Sequence, residues 1–339
     1  MDLTGAMSAE TDEVTAGVPD RPDFMEGVNM WIWDADGRVG LPRIAVDAVG
    51  ARWTEAHAVS VNVALPDGRV FVVRGSGPPF DPDGGNRARV LGAGPLRFEC
   101  VEPFREWRLL FDGAAAATSS DEQIANRGIP RPVAPEGAGV PLRIELDTTM
   151  AFPPWVNGTY EPDGNFDPKE HRFEQLFRAE GLVEIDGVSI PLRGGGLRIH
   201  RKGSVTRSDY SDWLGHVWMS TFFPSGRAFG INTYHPRPDG SVRYHEGWVI
   251  DDGEILSARF ADPPWKTDWV PRGEDVSFTI RTARGEHRID AETFVTTVNP
   301  MHKFPNQVAF PSTQQGIARY RWNGEESYGM IERSSKVET

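Results

Sequence analysis

Trp218-Met-Ser-Thr-Phe-Phe223, then Pro224-Ser-Gly226, then Arg227-Ala-Phe-Gly-Ile-Asn-Thr-Tyr234 is the stretch that decides the fold. Two runs rich in aromatic and β-branched residues flank a three-residue turn signal, so the segment predicts a β-hairpin. The same grammar recurs on both sides. Leu182-Val-Glu-Ile185 turns at Asp186-Gly187 into Val188-Ser-Ile-Pro-Leu192, and Arg243 to Ile250 turns at Asp251-Asp-Gly253 into Glu254 to Arg259. Earlier, Ala58 to Leu65 alternates, breaks at Pro66-Asp67-Gly68 and resumes as Arg69 to Arg74.

Many short strands without a helical period predict an all-β chain of consecutive antiparallel barrels or sheets, each of roughly eight strands. One short helix is expected within Ser120 to Asn126. The Pro/Gly-rich loop from Asn157 to Glu170 suggests the division: a disordered leader over 1–20, a first domain over 21–165 and a second over 166–339.

The 36 glycines and 27 prolines, beside 11 tryptophans and 18 phenylalanines, fit that hairpin-rich architecture. A formal charge of −13 argues against a nucleic-acid partner, because phosphates would be repelled over most of the surface. No apolar run is long enough for a membrane-spanning helix, so no membrane insertion is expected. The acidic first residues do not resemble a signal peptide, which points to the cytoplasm. The single cysteine, Cys100, lies in the alternating run Leu96 to Val101 and is expected to be a buried structural thiol. A homodimer is compatible with these numbers.

Chemistry concentrates between Arg198 and Trp218, just after Gly194-Gly-Gly196. This span holds His200, Arg201, Arg207, Asp209, Asp212, Trp213, His216 and Trp218. Charged groups are costly to bury unless paired, so the cluster either faces water or lines a cavity. The glycine run fits no dinucleotide or phosphate loop. His200, His216, His235 and His245 are scattered over strands and turns, more like polar barrel residues than metal ligands, so neither a metal nor a cofactor is expected. Alternation puts His216 and Trp218 on one face of one strand. Ion pairs of Arg201 or Arg207 with Asp209 or Asp212 are the simplest reading of the preceding charges. The carboxylates Asp209, Asp212, Glu246 and Asp251 are too many to single out a pair by themselves.

Phe173-Glu-Gln175, the hairpin at Asp186-Gly187, Gly194-Gly-Gly196, Asp212-Trp-Leu-Gly-His216-Val-Trp218 and Phe222-Phe-Pro-Ser-Gly-Arg-Ala-Phe-Gly230 follow in an order that resembles the carotenoid 1,2-hydratase and AttH-like superfamily. Weaker echoes are Pro103 to Gly113 and Tyr328-Gly-Met-Ile-Glu-Arg333. The resemblance implies two lipocalin-like domains. It further implies hydration of an isoprenoid double bond, in which a carboxylic acid protonates the alkene while aromatic rings shield the cation. The family's His-x-Trp matches His216 and Trp218. Its Tyr-x-Asp on a following strand is met only by Tyr234, since Pro236 stands where the aspartate belongs.

The resulting expectation is an enzyme that hydrates, dehydrates or isomerises an apolar terpenoid or aromatic small molecule inside an aromatic-lined cavity. Its catalytic candidates are His216, Asp212, Asp209 and Tyr234. Trp218, Trp213, Arg201, Phe222, Asn232 and Trp248 are the ligand-binding candidates. The competing readings are a non-catalytic carrier of a hydrophobic ligand, and a pericyclase or cyclase that only orients its substrate.

Overall fold

The computed structural model describes residues 2–80, 89–127, 139–156, 171–204, 214–242, 244–300, 302–303 and 309–336. The first eleven strands are β1 (Phe24–Asp34), β2 (Gly40–Val49), β3 (His57–Ala64), β4 (Arg69–Gly77), β5 (Val90–Ala93), β6 (Leu96–Glu102), β7 (Glu106–Ser119), β8 (Val140–Met150), β9 (Trp155–Val156), β10 (His171–Ile185) and β11 (Val188–Ser204). They form one antiparallel sheet. Its order, β4-β3-β2-β1-β11-β10-β8-β7, is closed into a ring of eight by pairing of β4 with the far end of β7. Strands β5 and β6 extend from β7, and β9 pairs with β10.

The next ten strands are β12 (Gly215–Phe222), β13 (Ala228–Tyr234), β14 (His245–Asp251), β15 (Glu254–Phe260), β16 (Phe278–Thr282), β17 (Gly285–Asn299), β18 (His302–Lys303), β19 (Ala309–Phe310), β20 (Thr313–Trp322) and β21 (Glu325–Ser335). Eight of them close a second barrel, β12-β13-β14-β15-β16-β17-β20-β21. The all-β reading with two barrel-like domains therefore holds. The β10–β11 hairpin turns through Asp186 (φ 52°) and Gly187 (φ 76°), the left-handed pair that a two-residue turn matching strand twist requires. The short helix expected near Ser120 is present as α2 (Ser120–Ala125), following α1 (Ala9–Asp12). Ser119 and Glu122 cap α2 reciprocally.

Two expectations about organisation change. The sheets change partners between Ser204 and Gly215, not near residue 165, because β10 and β11 rejoin the first barrel by pairing with β8 and β1. The segment expected to be a disordered leader is instead tied into that barrel. Asp12 is fully buried, 2.7 Å from the Arg198 guanidinium, and accepts hydrogen bonds from the Phe104 amide and the Trp107 indole. His200 bridges Asp12 and Glu26, while the Lys202 ammonium donates to the carbonyls of Glu10 and Glu13. Burial alone would raise the Asp12 pKa, but Arg198 and His200 hold it well below the usual carboxylate range. Arg198 and His200 therefore belong to a buried ion cluster in the first barrel, away from His216.

Each barrel has its own apolar core. Val28, Met30, Leu109 and Phe177 pack within the first, and Met219, Phe229, Phe278 and Tyr320 within the second. Cys100 is part of the first core, where burial pushes its thiol up to about 12. A third cluster joins the outer faces of the two barrels, and it positions the site.

Candidate active site between the barrels

The period of two decides what reaches this layer. On β12, Val217 and Met219 enter the second core, as does Phe223 just beyond it, which turns His216, Trp218 and Phe222 outward toward the first barrel. On β1, Val28, Met30 and Ile32 enter the first core and turn Asn29, Trp31 and Trp33 outward to meet them. Trp31 and Trp218 meet edge to face at 5.0 Å. Phe222 packs on Trp33 and Phe152, and Trp155 lies against Trp248 at 6.0 Å. This aromatic surface thus lies between the two barrels.

Gly195, the middle of the glycine run, has its explanation in this layer. A Cβ on Gly195 would stand 2.5 Å from the Phe222 ring and 2.9 Å from Trp33, so the bare backbone of β11 lets a ring of the second barrel lie on it. Gly230 serves likewise beneath Trp248.

Strand register assembles the polar groups. Glu332, Trp218, Asn232 and Glu246 stand in one row across β21, β12, β13 and β14. The adjoining row holds Ser334, His216 and Tyr234. His216 places Nδ1 2.6 Å from Ser334 Oγ and Nε2 3.1 Å from Glu332 Oε1, while Gln315 donates to Glu332 Oε2. Although burial opposes it, contact with His216 keeps the Glu332 carboxyl below its ordinary value.

Glu246 is held in the opposite state. Burial, and then the negative charge of Glu174, push its pKa up to about 7 against the opposing pull of Arg172. Arg172 approaches Glu174 at 2.7 Å and Glu246 at only 3.9 Å, so the proton resides on Glu246. Burial also raises Glu174. The Tyr244 hydroxyl donates to Glu246 Oε2, and burial places its own pKa well above the usual tyrosine value. Glu246 Oε1 is buried without a hydrogen bond of normal geometry, although the Trp155 indole lies near enough to favour the carboxylate weakly. Trp31 Nε1 and Asn232 Oδ1 are also buried without partners among the described residues. Such orphans are uncommon in a settled core and face this layer together.

Of the residues singled out from sequence, His216, Trp218, Asn232, Tyr234, Phe222 and Trp248 converge here. Tyr234 is in ring contact with His216 and Tyr244. Arg201 pairs instead with Asp47 at 2.7 Å, reaching across Gly27, where a Cβ would collide with both side chains. Asp209, Asp212 and Trp213 lie outside the described residues. Sequence reasoning missed Glu332, Glu174 and Arg172, and named Glu246 only as one of four carboxylates too many to choose among. The signal for Glu246 was present: the acid absent two residues after Tyr234 appears one strand later, in Tyr244-His-Glu246, as glutamate.

The histidines disperse. His235 stacks on Trp265 at 3.9 Å, and His245 bonds the Ala258 carbonyl. Among the described residues no three His, Cys, Asp or Glu side chains gather as they would around a metal ion. Nor, among these residues, is any helix long and apolar enough to cross a membrane.

In fold the chain is similar to a Nitrosomonas europaea protein assigned to AttH, with a TM-score of 0.59 at 15% identity over 93% of this chain and 92% of that one. It is also similar to CghA solved with Sch210972, with a TM-score of 0.55 at 11% identity over 93% and 89% of the two chains. CghA solved alone gives a TM-score of 0.56. The likeness to these solved structures is one of fold, and it spans both barrels. No curated protein resembles the chain closely enough in sequence to count as a relative. The family described as "Domain of unknown function (DUF7064)" matches residues 9–337, nearly the entire chain, and the protein belongs to that family.

Proposed function

We propose that the layer between the barrels is the active site of an enzyme that moves protons on a hydrophobic small molecule, hydrating, dehydrating or isomerising a carbon–carbon double bond. The observation that carries this reading is Glu246, a buried carboxylic acid still protonated near neutral pH and facing indole rings. A proton donor is most useful when its pKa lies near the working pH. In the hydration direction Glu246 transfers its proton to one alkene carbon and becomes a carboxylate. The cation left on the other carbon is stabilised by the faces of Trp31 and Trp218. Water adds there and gives up a proton to the His216–Glu332 pair. Dehydration is the same path reversed, and isomerisation loses a proton from a neighbouring carbon instead. The half-buried Arg172, Tyr234 and Tyr244 mark the edge from which a ligand would enter.

The fold likeness to CghA, solved with Sch210972, supports a small organic molecule as ligand. A panel of terpenoid and aromatic alkenes, alcohols and enones, followed by mass spectrometry, tests the proposal. Gain or loss of one water, or a shifted double bond, is expected with the native protein and not with Glu246→Gln. Conversion that survives Glu246→Gln would overturn the assignment. A ligand that copurifies and emerges unchanged after long incubation would instead favour the carrier reading, for which the aromatic composition of the layer is the supporting observation.

A further inference from the structure

Two arginines stand at another edge of the same layer. Arg43 stands at a break in the β1–β2–β3 register with φ of 68°, a left-handed conformation costly for any residue with a side chain. Buried Asn62 holds it there, its amide donating to the carbonyls of Pro42 and Arg43, both at 2.9 Å. The Asn62 oxygen accepts from Arg74 Nη2 at 3.2 Å, so a single side chain fixes both arginines. Arg43 Nε donates to Asn29 Oδ1, next to Trp31 in the layer, and its charge reaches Glu332. Arg74 crosses to the second barrel and donates to Asn299 Oδ1 and the Val298 carbonyl.

Every acceptor in this arrangement is neutral. Among the described residues neither arginine is ion-paired, and the nearby Glu332 has its oxygens occupied by His216 and Gln315. Burial, and then repulsion from Arg43, push Arg74 down to about 10. Guanidinium groups that only brace a fold are normally neutralised by carboxylates, whereas these two are oriented by amides and keep their charge. That is how a protein prepares a site for an oxyanion.

We propose that Arg43 and Arg74 form an anion-recognition site at the edge of the inter-barrel layer, and that the molecule handled there carries an oxyanion, a carboxylate or a phosphate, at one end of an apolar body. This rests on the layer being the ligand site. Isothermal titration of the full-length protein with geranic acid, geranyl phosphate and geraniol tests it, since the three share one apolar chain. At least one anion should bind about tenfold or more tightly than geraniol, and which anion wins identifies the oxyanion. Arg43→Gln should abolish that preference while leaving geraniol affinity unchanged. Arg43→Gly, which also relieves the positive φ, should do the same if Arg43→Gln does not fold. Geraniol binding as tightly as both anions would overturn the anion site yet leave the apolar layer standing. Failure of all three to bind, or a preference that survives both variants, would equally overturn it. Mass spectrometry of the same three compounds after incubation with the native protein reads conversion apart from affinity, so failure of the catalytic reading is separately visible.

Discussion

Glu174 of the first barrel and Glu246 of the second share one guanidinium, that of Arg172, at 2.7 Å and 3.9 Å. Two buried carboxyls around a single cation cannot both ionise cheaply, so the pair retains a proton when most carboxyls have lost theirs. The acid of the proposed site therefore exists only because the barrels are apposed. Neither barrel alone would desolvate Glu246 or bring Glu174 to it.

This arrangement has a signature in stability. The folded state binds the Glu246 proton up to about pH 7, whereas the unfolded chain releases it near the ordinary value of 4.5. Stability linked to this group is full below about pH 4.5 and is lost as pH rises through about 7, amounting to about 3 kcal/mol. Glu246→Gln removes the titration and keeps an acceptor for Tyr244. Denaturation in urea between pH 5 and 8 should show a smaller decline in stability for the variant than for the native protein. Parallel curves would contradict the assignment of the proton to Glu246.

The N-terminal tie gives the opposite sign. Asp12 has a depressed pKa, so its contribution is present above about pH 4 and disappears as the solution is acidified further. Asp12→Ala leaves Arg198 buried without its partner and should cost about 3–5 kcal/mol at neutral pH. Deletion of residues 2–14 should produce a comparable loss in urea unfolding. An unchanged midpoint in both variants would show that the tie does not support the barrel.

How much of this could be read from the chain depends on distance along it. Hairpins such as Ile185 to Val188 are local, and their Asp-Gly turns were legible. That His216 and Trp218 share a face was also legible, because alternation is local. Which side that face meets was not, since it depends on Trp31 more than 180 residues earlier. The same holds for Asp12, one acid in an acidic stretch, whose partner is Arg198. The boundary near residue 165 misled because a polar, proline-containing connection looks alike within a barrel and between barrels. Only the pairing of β10 and β11 with β8 and β1 distinguishes the two cases.

Apposition of the barrels can be perturbed at one atom. Gly195→Ala introduces a methyl 2.5–2.6 Å from two Phe222 ring atoms, which must move for it to fit. The expected cost is about 1–3 kcal/mol in thermal or urea unfolding. Phe222→Leu removes the obstructing ring, so the double variant should lose less than the sum of the two single changes. Strict additivity would mean that β11 yields elsewhere and that the glycine is not there for the ring.

His216 and Glu332 can be separated by kinetics once a converted substrate is in hand. His216→Ala removes the group that takes up the proton from water and should lower kcat by about 10²–10⁴-fold with a folded protein remaining. Glu332→Gln keeps an acceptor for His216 and a partner for Gln315 but withdraws the negative charge that would stabilise a protonated imidazole. Its loss should therefore fall mainly on kcat, with KM little changed. The fall in activity on the alkaline side, set by Glu246 near pH 7, should persist in Glu332→Gln and vanish in a variant whose rate no longer depends on that acid. A rise in KM at constant kcat would place the His216–Glu332 pair in binding and transfer the proton-accepting role to another group.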